Sequence, residues 1–195
     1  MNIASLYEKF IASTGICTDT RKIEKGNLFF ALKGPNFNAN KLAEQALNQG
    51  ASYAVIDDAE YNTDSRCVLV DDALETLQAL ANYHRKQLKI PIIAITGSNG
   101  KTTTKELTRN VLATKYKVSA TIGNLNNHIG VPLTLLSIGP DIEMAIVEMG
   151  ANHVGEIAAL CKIGEPTHGL ITNIGKAHLE GFGGFEGVIR GKTEM

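Results

Sequence analysis

A glycine-rich stretch in the middle of the chain joins a short apolar run to a helical pattern. Ile92 to Ile95 is continuously apolar, as expected of a parallel strand covered on both faces, and Gly97 to Thr103 follows directly. Gly97 and Gly100 permit a tight turn, so that backbone N–H groups can converge at the start of the next helix, where the helix dipole favours negative charge. This arrangement predicts an α/β domain with a phosphate-binding loop.

The loop predicts an ATP site. Lys101 can reach the β- and γ-phosphates, and the Thr102 hydroxyl can bind Mg²⁺. The strict pattern G-x-x-x-x-G-K-[ST] requires glycine at position 95, where this chain has Ile95, so the bare string could also occur in a surface turn. The preceding strand and the amphipathic helix predicted after the loop, with its apolar residues Leu107, Val111 and Leu112, favour a nucleotide. The predicted ATP-binding residues are Gly97, Ser98, Asn99, Gly100, Lys101, Thr102 and Thr103.

The first segment of the chain, residues 1–89, predicts a small N-terminal α/β domain. Its short apolar runs are typical of buried strands, and its helical spacings place apolar side chains on one face. Asp72 and Glu75 form a capping-box-like start for the last of its helices. The predicted elements are a helix over Ile3–Ile11, a strand over Asn27–Leu32, a helix over Asn40–Gln49, strands over Tyr53–Asp57 and Cys67–Val70, and a helix from Asp72 to Leu88.

The second segment, residues 90–195, predicts a P-loop-type domain with a mostly parallel sheet, because its strands alternate with helices. The predicted elements after the phosphate loop are a helix to Lys115, a strand over Val118–Thr121, a helix over Val131–Leu136, a strand over Glu143–Met149, a helix over Val154–Cys161 and a strand over Gly169–Ile174. Phe185 to Met195 resembles the start of a helix, with neither a C-cap nor a closing strand after it. We therefore expect this domain to be truncated.

Polar residues follow three of these strands, where the ligand crevice of an open parallel sheet lies. Glu148 is placed to hold Mg²⁺, although a solvated strand-end charge is the alternative. Asn124 to His128 is a dense set of amides, for which a hydrogen-bonded turn and helix start is the alternative. The end of the last strand and the segment after it contain Asn173, Lys176, His178 and Glu180, and a structural histidine is the alternative for His178 taken alone. The three clusters together predict chemistry based on metal, lysine and backbone dipoles acting on phosphate charge.

Composition excludes several classes of protein. Nineteen Lys and Arg against twenty Asp and Glu leave a formal charge of −1, without the basic excess of a nucleic-acid-binding protein. No apolar run approaches the ~20 residues that span a bilayer, and the N-terminus does not resemble a signal peptide. The three cysteines form neither a disulfide framework nor a CxxC pair, which favours a reducing cytoplasm.

With these residues in view, the chain resembles the Mur ligases of peptidoglycan synthesis. The motifs ITGSNGKTTTKE, GNLNNHIGVPLTLL, VEMGANHVGEI and ITNIGKAHLEGFG occur in the family's order. The segment Thr18–Gly34 resembles the family's UDP-binding N-terminal domain. The similarity covers nearly the whole chain and is strongest to members that add D-alanyl-D-alanine to a UDP-N-acetylmuramoyl-tripeptide. The member that adds the third amino acid and a folylpolyglutamate-synthase relative are the alternatives within this class.

The resemblance implies a mechanism and a set of site residues. ATP phosphorylates the terminal carboxylate of the tripeptide, and the amine of the dipeptide attacks the acyl phosphate. By resemblance, Lys101 holds the phosphates, Thr102 and Glu148 serve one Mg²⁺, and His178 serves a second metal. Lys192 matches the lysine that becomes carbamylated in the family, whereas the residues alone would indicate a surface lysine.

The remaining implied residues concern the nucleotide-sugar substrate. Asn126 and Asn127 match the stretch that contacts it, and Asp19, Thr20 and Arg21 match the uridine-side motif, for which a salt-bridged turn is the competing interpretation. Asn38 to Lys41 departs from the Asp-Gly-His-type turn of many relatives, so no role is predicted there.

The resemblance also implies that relatives continue for roughly as long again, with a C-terminal domain that closes over ATP, and we expect that domain to be missing here. We therefore expect little ligase activity, and a non-catalytic nucleotide- or UDP-sugar-binding module remains the alternative. We also expect a monomer.

Overall fold

The computed structural model describes residues 2–195 and divides into two compact units, one up to Tyr83 and one from His84. The division falls within one helix, Ala73–Gln87, rather than at the 89/90 boundary expected from the sequence. Over the part of the chain that is described, none of the helices combines the length and apolar character needed to cross a bilayer.

The first unit is a parallel sheet with helices. Strands β1, β2, β5 and β6 lie side by side in that order, and β3 and β4 form a separate antiparallel hairpin. Phe29, Ala54 and Ile56 lie in its core, fully buried against α2 and the short 3-10 segment Ala39–Leu42. The elements are α1 (Ile3–Ile11), β1 (Ile16–Cys17), β2 (Leu28–Phe30), β3 (Lys33–Gly34), β4 (Phe37–Asn38), α2 (Ala43–Asn48), β5 (Tyr53–Ile56), β6 (Cys67–Leu69) and α3 (Ala73–Gln87).

These elements confirm the predicted helices and strands, apart from their ends. The predicted apolar face of α3 is buried at Leu77, Leu80 and Ala81, and Asp72 caps the helix by accepting from the Glu75 N–H at 2.7 Å. The two-residue strand β1 and the hairpin β3–β4 are additional to the prediction. Strands this short contain too few alternating residues to give a pattern.

The second unit is a four-stranded parallel sheet in the order β10-β7-β9-β8. Ile95 of β7 is in register with Glu148 of β9, and Thr96 with Ile171 of β10, so the carboxyl ends of these strands meet at one edge. The elements are β7 (Ile92–Thr96), α4 (Lys101–Leu112), β8 (Val118–Ala120), α5 (Gly130–Leu136), β9 (Met144–Glu148), α6 (Glu156–Gly164), β10 (His168–Ile171), α7 (Leu179–Phe182) and α8 (Phe185–Lys192).

Helix α4 corrects one expectation. Its apolar residues Leu107 and Val111 are 62% and 69% exposed, whereas Lys105 is 1% exposed. The face that α4 turns inward is therefore polar, and the apolar spacing did not identify the packed face. The reason is the position of Lys105, whose ammonium donates to the backbone carbonyl of Thr121, directly after β8, at 2.6 Å.

Candidate active site

The phosphate loop depends on glycine at two positions. Gly97 and Gly100 have φ angles of 142° and 77°, in the left-handed region that side chains with a Cβ rarely adopt. A Cβ at position 97 would also collide with the hydroxyl of Thr172. The loop therefore approaches the neighbouring strand end as closely as the backbone allows, and Lys101 begins α4 immediately afterwards.

The segment after β10 holds this loop in place. The Asn173 side chain pairs with the backbone of Asn99 in both directions, accepting from its N–H and donating to its carbonyl, each at 3.1 Å. Thr172 Oγ1 donates to the same carbonyl at 2.6 Å, and Gly175 N–H donates to the Ser98 hydroxyl at 2.9 Å. These contacts between the phosphate loop and the segment after β10 could not be predicted from the sequence, because a side-chain bond to a distant loop has no periodic pattern.

Lys101 is folded back onto its own loop. Its ammonium donates to the carbonyl of Gly97 at 2.8 Å and to that of Ser98 at 3.4 Å. A phosphate attracts the ammonium more strongly than these neutral carbonyls do, since its oxygens carry negative charge. A phosphate group would therefore draw the ammonium away from the loop carbonyls.

Glu148 ends β9 at the centre of the site and is 2% exposed. Thr102 Oγ1 donates to one of its carboxylate oxygens at 3.0 Å, and Asn126 Nδ2 donates to the other at 2.8 Å. Its backbone N–H donates to the Thr121 hydroxyl at 2.9 Å. Such burial excludes the solvated strand-end charge that the sequence left open. A carboxylate beside a threonine hydroxyl is the oxygen donor set that Mg²⁺ prefers, so the residues fit this ion.

A groove of about 440 Å³, the phosphate groove, runs past these residues. It is lined by the loop from Ser98 to Thr103 together with Asn124, Asn126 and Glu148. All predicted ATP-binding residues except Gly97 line the phosphate groove. Gly97 lines a neighbouring second cavity, the inner cavity.

The loop between β8 and α5, residues 121–129, supplies the amides predicted to contact substrate. Asn127 accepts from the N–H groups of Ile129 and Gly130, at 3.1 and 2.8 Å, so its side chain begins the following helix, which was the alternative left open. Asn126 is fixed by Glu148 and packs against Gly150, where a Cβ would lie only 3.0 Å from the amide. Both asparagines nevertheless line a cavity, so the structure brings them to the site.

This inner cavity has a volume of about 370 Å³ and shares Lys101 and Asn126 with the phosphate groove. Lys192 lines it and is 2% exposed, so it is a buried lysine and not the surface residue that sequence alone would indicate. The other lining residues are Gly97, Asn127, His128, Gly150, Ala151, Asn152, Glu156, Ala159, Leu160 and His178.

The Lys192 ammonium donates to the Ala151 carbonyl at 3.2 Å and lies 5.2 Å from the centre of the Phe182 ring. Burial lowers the pKa of Lys192 to about 8, and the positive charge of Lys101 adds to the effect, while Glu156 and Glu194 act in the opposite direction. A larger fraction of this amine is therefore neutral near pH 8 than for an exposed lysine.

His178 is exposed at the mouth of the inner cavity and has a left-handed backbone with φ 54°. Among residues 2–195, no three His, Cys, Asp or Glu side chains cluster closely enough to hold a metal ion by themselves. A second metal at His178 would therefore need ligands beyond such a cluster, and this assignment stays a prediction. Lys176 and Glu180, from the same predicted group, line neither the groove nor the cavity.

The uridine-side motif lies in the first unit, in a separate N-terminal cavity of about 520 Å³ lined by residues 18–21 with Phe37, Ala39 and Leu42. Arg21 binds the Asp19 carboxylate with both ends of its guanidinium, at 2.9 and 2.7 Å. Hydrogen bonds from Arg21 lower the pKa of Asp19 to about 2. The salt-bridged turn is therefore present, and Thr20 beside it is buried.

The turn from Asn38 to Lys41, to which no role was assigned, forms a buried polar network. Asn40 is 0% exposed, donates to the Asp57 carboxylate at 2.7 Å and accepts from the Asp57 N–H at 3.0 Å. Lys33 pairs with the same carboxylate at 2.9 Å. Asp57 thereby connects the β3–β4 hairpin to the start of α3, where it accepts from the Ala73 N–H.

Comparison with known proteins agrees with this site. Residues 95–195 match the profile of the Mur ligase middle domain, and residues 13–94 match that of the Mur ligase family catalytic domain. The chain belongs to the Mur ligase family. The middle-domain match begins at Ile95 and includes the phosphate loop, Glu148, His178 and Lys192.

Among curated relatives, the UDP-N-acetylmuramoyl-tripeptide–D-alanyl-D-alanine ligase of Bacillus subtilis is 43% identical over 191 residues, covering 97% of this chain and 42% of the relative. The Escherichia coli ligase of the same name is 42% identical, covering 95% of this chain and 41% of the relative. The chain thus spans less than half the length of these Mur ligases.

Solved structures of Mur ligases also superpose on this chain. MurF from Acinetobacter baumannii superposes with a TM-score of 0.88 at 36% identity, over 99% of this chain and 45% of that one. MurF from Thermotoga maritima, solved in complex with ADP, gives a TM-score of 0.86 at 34% identity, over 95% of this chain and 43% of that one.

Proposed function

We propose that the protein to which this chain belongs is an ATP-dependent ligase of peptidoglycan synthesis, which adds D-alanyl-D-alanine to a UDP-N-acetylmuramoyl-tripeptide in the cytoplasm. The observation that carries the proposal is the position of Glu148 in the phosphate groove, bonded to Thr102 and to Asn126, because Asn126 also lines the inner cavity. A nucleotide and the carboxylate that accepts its γ-phosphoryl group need such adjacent compartments to react.

The phosphate groove binds ATP. Backbone N–H groups at the start of α4 face the phosphates, and Lys101 exchanges its bonds to the Gly97 and Ser98 carbonyls for phosphate oxygens. Thr102 and Glu148 would hold Mg²⁺, which supplies positive charge to the phosphate oxygens during transfer. The clamp made by Thr172 and Asn173 keeps the loop in its binding conformation before the nucleotide arrives.

The proposed reaction has two steps. In the first, a carboxylate oxygen of the tripeptide attacks the γ-phosphorus, the bond to the β-phosphate bridging oxygen breaks, and ADP leaves. In the second, the dipeptide amine attacks the carbonyl carbon of the acyl phosphate, its nitrogen loses one proton, and inorganic phosphate leaves as the amide forms. Lys101 lies at both compartments, so its positive charge can stabilise the phosphoryl group in both steps.

Lys192 and His178 serve the acyl side. Burial and a pKa of about 8 give Lys192 the neutral amine that reacts with CO₂, so carbamylation would convert this cation into an anion beside the inner cavity. His178 would face that group from the cavity mouth. Asn126 and Asn127 line the wall that the substrate meets, and Asp19, Thr20 and Arg21 bind the uridine side in the N-terminal cavity.

Because the chain spans less than half of its relatives, we propose that these 195 residues alone, as a monomer, bind nucleotide but turn over little. The decisive experiment measures phosphate release by the whole protein with ATP, Mg²⁺ and the UDP-tripeptide, with D-alanyl-D-alanine as the varied component. Release and amide formation that require the dipeptide support the proposal. Turnover with a free diamino acid and a UDP-dipeptide instead would identify the ligase adding the third amino acid. Binding without turnover would identify a non-catalytic module.

A further inference from the structure

Lys105 is a buried cation that the proposed reaction does not use. It is 1% exposed, on the inward face of α4, three residues after Thr102 and therefore on the same side of the helix. Burying an ammonium is costly unless it is paired and hydrogen-bonded. The partners of this ammonium therefore indicate what the residue does.

The Lys105 ammonium donates to the backbone carbonyl of Thr121 at 2.6 Å and pairs with the Glu106 carboxylate at 3.0 Å. Glu106 is 43% exposed and lies next to Lys105 in sequence, so it neutralises the charge from the solvent side. Thr121 is 2% exposed and is the first residue of the loop that leads to Asn126. The shortest contact of the buried cation therefore falls on the start of that loop.

Thr121 is also hydrogen-bonded to the backbone of Glu148. Its hydroxyl accepts from the Glu148 backbone N–H at 2.9 Å, and its own N–H donates to the Ile146 carbonyl at 3.0 Å. Three groups of Thr121 are thus fixed, and one of them holds the residue whose carboxylate meets Thr102. The same helix that presents Thr102 to the carboxylate also fixes, through Lys105, the backbone from which that carboxylate extends.

We propose that Lys105 is a positioning residue for the metal-binding half of the nucleotide site, acting through Thr121 on Glu148. It does not touch the phosphates. It sets the distance between the Glu148 carboxylate and the Thr102 hydroxyl, which are the two groups that would hold Mg²⁺. This inference rests on the proposed ATP site and adds a residue that determines how strongly nucleotide binding depends on the metal.

The test separates the metal-dependent from the metal-independent part of nucleotide affinity. Calorimetry on this chain measures ATP binding with Mg²⁺ and in EDTA for the unmodified chain and for Lys105→Met, which keeps the side-chain length without the charge. We expect Mg·ATP to bind about 10-fold more weakly, while affinity in EDTA changes less than about 2-fold, because Lys101 and the loop amides are untouched. A merely structural role would lower both affinities together.

Thr121 variants keep the test decisive if Lys105→Met does not fold. Thr121→Val removes the hydroxyl with little change of shape, and we expect about a 5-fold loss for Mg·ATP alone. Thr121→Ser keeps the hydroxyl and should retain the affinity of the unmodified chain. The double variant should be no weaker than Lys105→Met by more than about 2-fold, since both act along one path. Lys115→Met, at an exposed lysine after the same helix, is the matched control.

Each result has one meaning. If the unmodified chain binds ATP equally well with Mg²⁺ and in EDTA, the proposed metal role of Glu148 fails. If it shows a metal dependence that folded Lys105→Met and Thr121→Val both leave unchanged, the positioning role is wrong. Tighter Mg·ATP binding by Lys105→Met, without any effect of Thr121→Val, would also overturn it, because that pattern shows direct charge repulsion of the ion.

Discussion

The phosphate groove and the N-terminal cavity are built from different kinds of contact. In the groove, Glu148 is held by Thr102, Asn126 and Thr121, which lie 46, 22 and 27 residues away in sequence. In the N-terminal cavity, Asp19 is held by Arg21, only two residues away. The Arg21 side chain is 86% exposed, whereas Glu148 as a whole is 2% exposed.

The two regions differ in how far their binding groups are held in place before a ligand arrives. A buried group that is fixed by partners distant in sequence keeps its geometry without a ligand, so binding there costs little further ordering. An exposed arginine on a local turn keeps much of its freedom until a ligand orders it. We therefore expect changes in the groove to affect folding and binding together, and changes in the N-terminal cavity to affect binding alone.

The largest effect should follow Lys101→Ala. The variant removes the only side-chain ammonium that the structure places at both compartments, so ATP affinity should fall at least about 100-fold. Calorimetry with Mg·ATP checks this, with Lys115→Ala as the control. Undiminished binding by Lys101→Ala would remove the basis for the nucleotide assignment.

The second-largest effect on ATP binding should follow Glu148→Gln, which keeps the size of the side chain and its acceptor oxygen for Asn126. Loss of the charge should weaken Mg·ATP binding about 30-fold and raise the Mg²⁺ concentration needed for half-maximal binding. Titrating Mg²⁺ at fixed ATP measures both quantities. An unchanged midpoint would show that Glu148 is a structural carboxylate and that the metal lies elsewhere.

The pH dependence of stability tests whether a buried group of the neighbouring inner cavity, Lys192, also affects folding. Its folded pKa of about 8 lies below the ordinary 10.5, so between these values the unfolded chain binds the extra proton and the free energy of unfolding rises with pH. Below pH 8 both states are protonated and the folded state carries the full cost of the buried charge. Lys192→Met should therefore be more stable at pH 7 by on the order of 2 kcal/mol.

Urea unfolding at pH 7, 8.5 and 10 measures this difference. It should shrink towards pH 10, because the unmodified chain then folds with a neutral amine. A difference independent of pH would show that packing, and not the buried charge, determines the effect of the substitution.

The smallest effect on folding should follow Arg21→Ala. Because Arg21 is exposed, the melting temperature at pH 7 should stay unchanged, while UDP affinity falls about 5-fold. The Asp19 carboxyl should then titrate nearer its ordinary value of 3.8, since its pKa of about 2 depends on Arg21. NMR titration of Asp19 and calorimetry with UDP check the two parts. A lower melting temperature with unchanged UDP affinity would show that Arg21 serves folding and not ligand binding, contrary to this expectation.

The sequence predicted much of the second unit. The order of strands and helices around Gly97 to Thr103 is confirmed, because apolar runs and glycine turns are local signals. The meeting of Thr102 with Glu148 also followed from the rule that parallel strands end at one edge. Those features depend on residues close in sequence or on a general property of the sheet.

Other features could not be predicted, because they depend on which distant groups meet. Lys105 and Lys192 are indistinguishable in sequence from surface lysines, yet both are almost fully buried. The pairing of Asn173 with the Asn99 backbone is likewise invisible until β7 and β10 lie side by side. A side chain that bonds to a backbone carbonyl can do so from any position that the fold brings near.

His178 combines a polar ring with a backbone shape that suits glycine. Its φ of 54° costs a residue with a Cβ on the order of 1 kcal/mol relative to glycine. Selection for stability alone would therefore favour glycine here. An imidazole at such a position implies that the ring contributes something to the protein other than stability, and that a stabilised variant found by random mutagenesis could owe its gain to the loss of this residue.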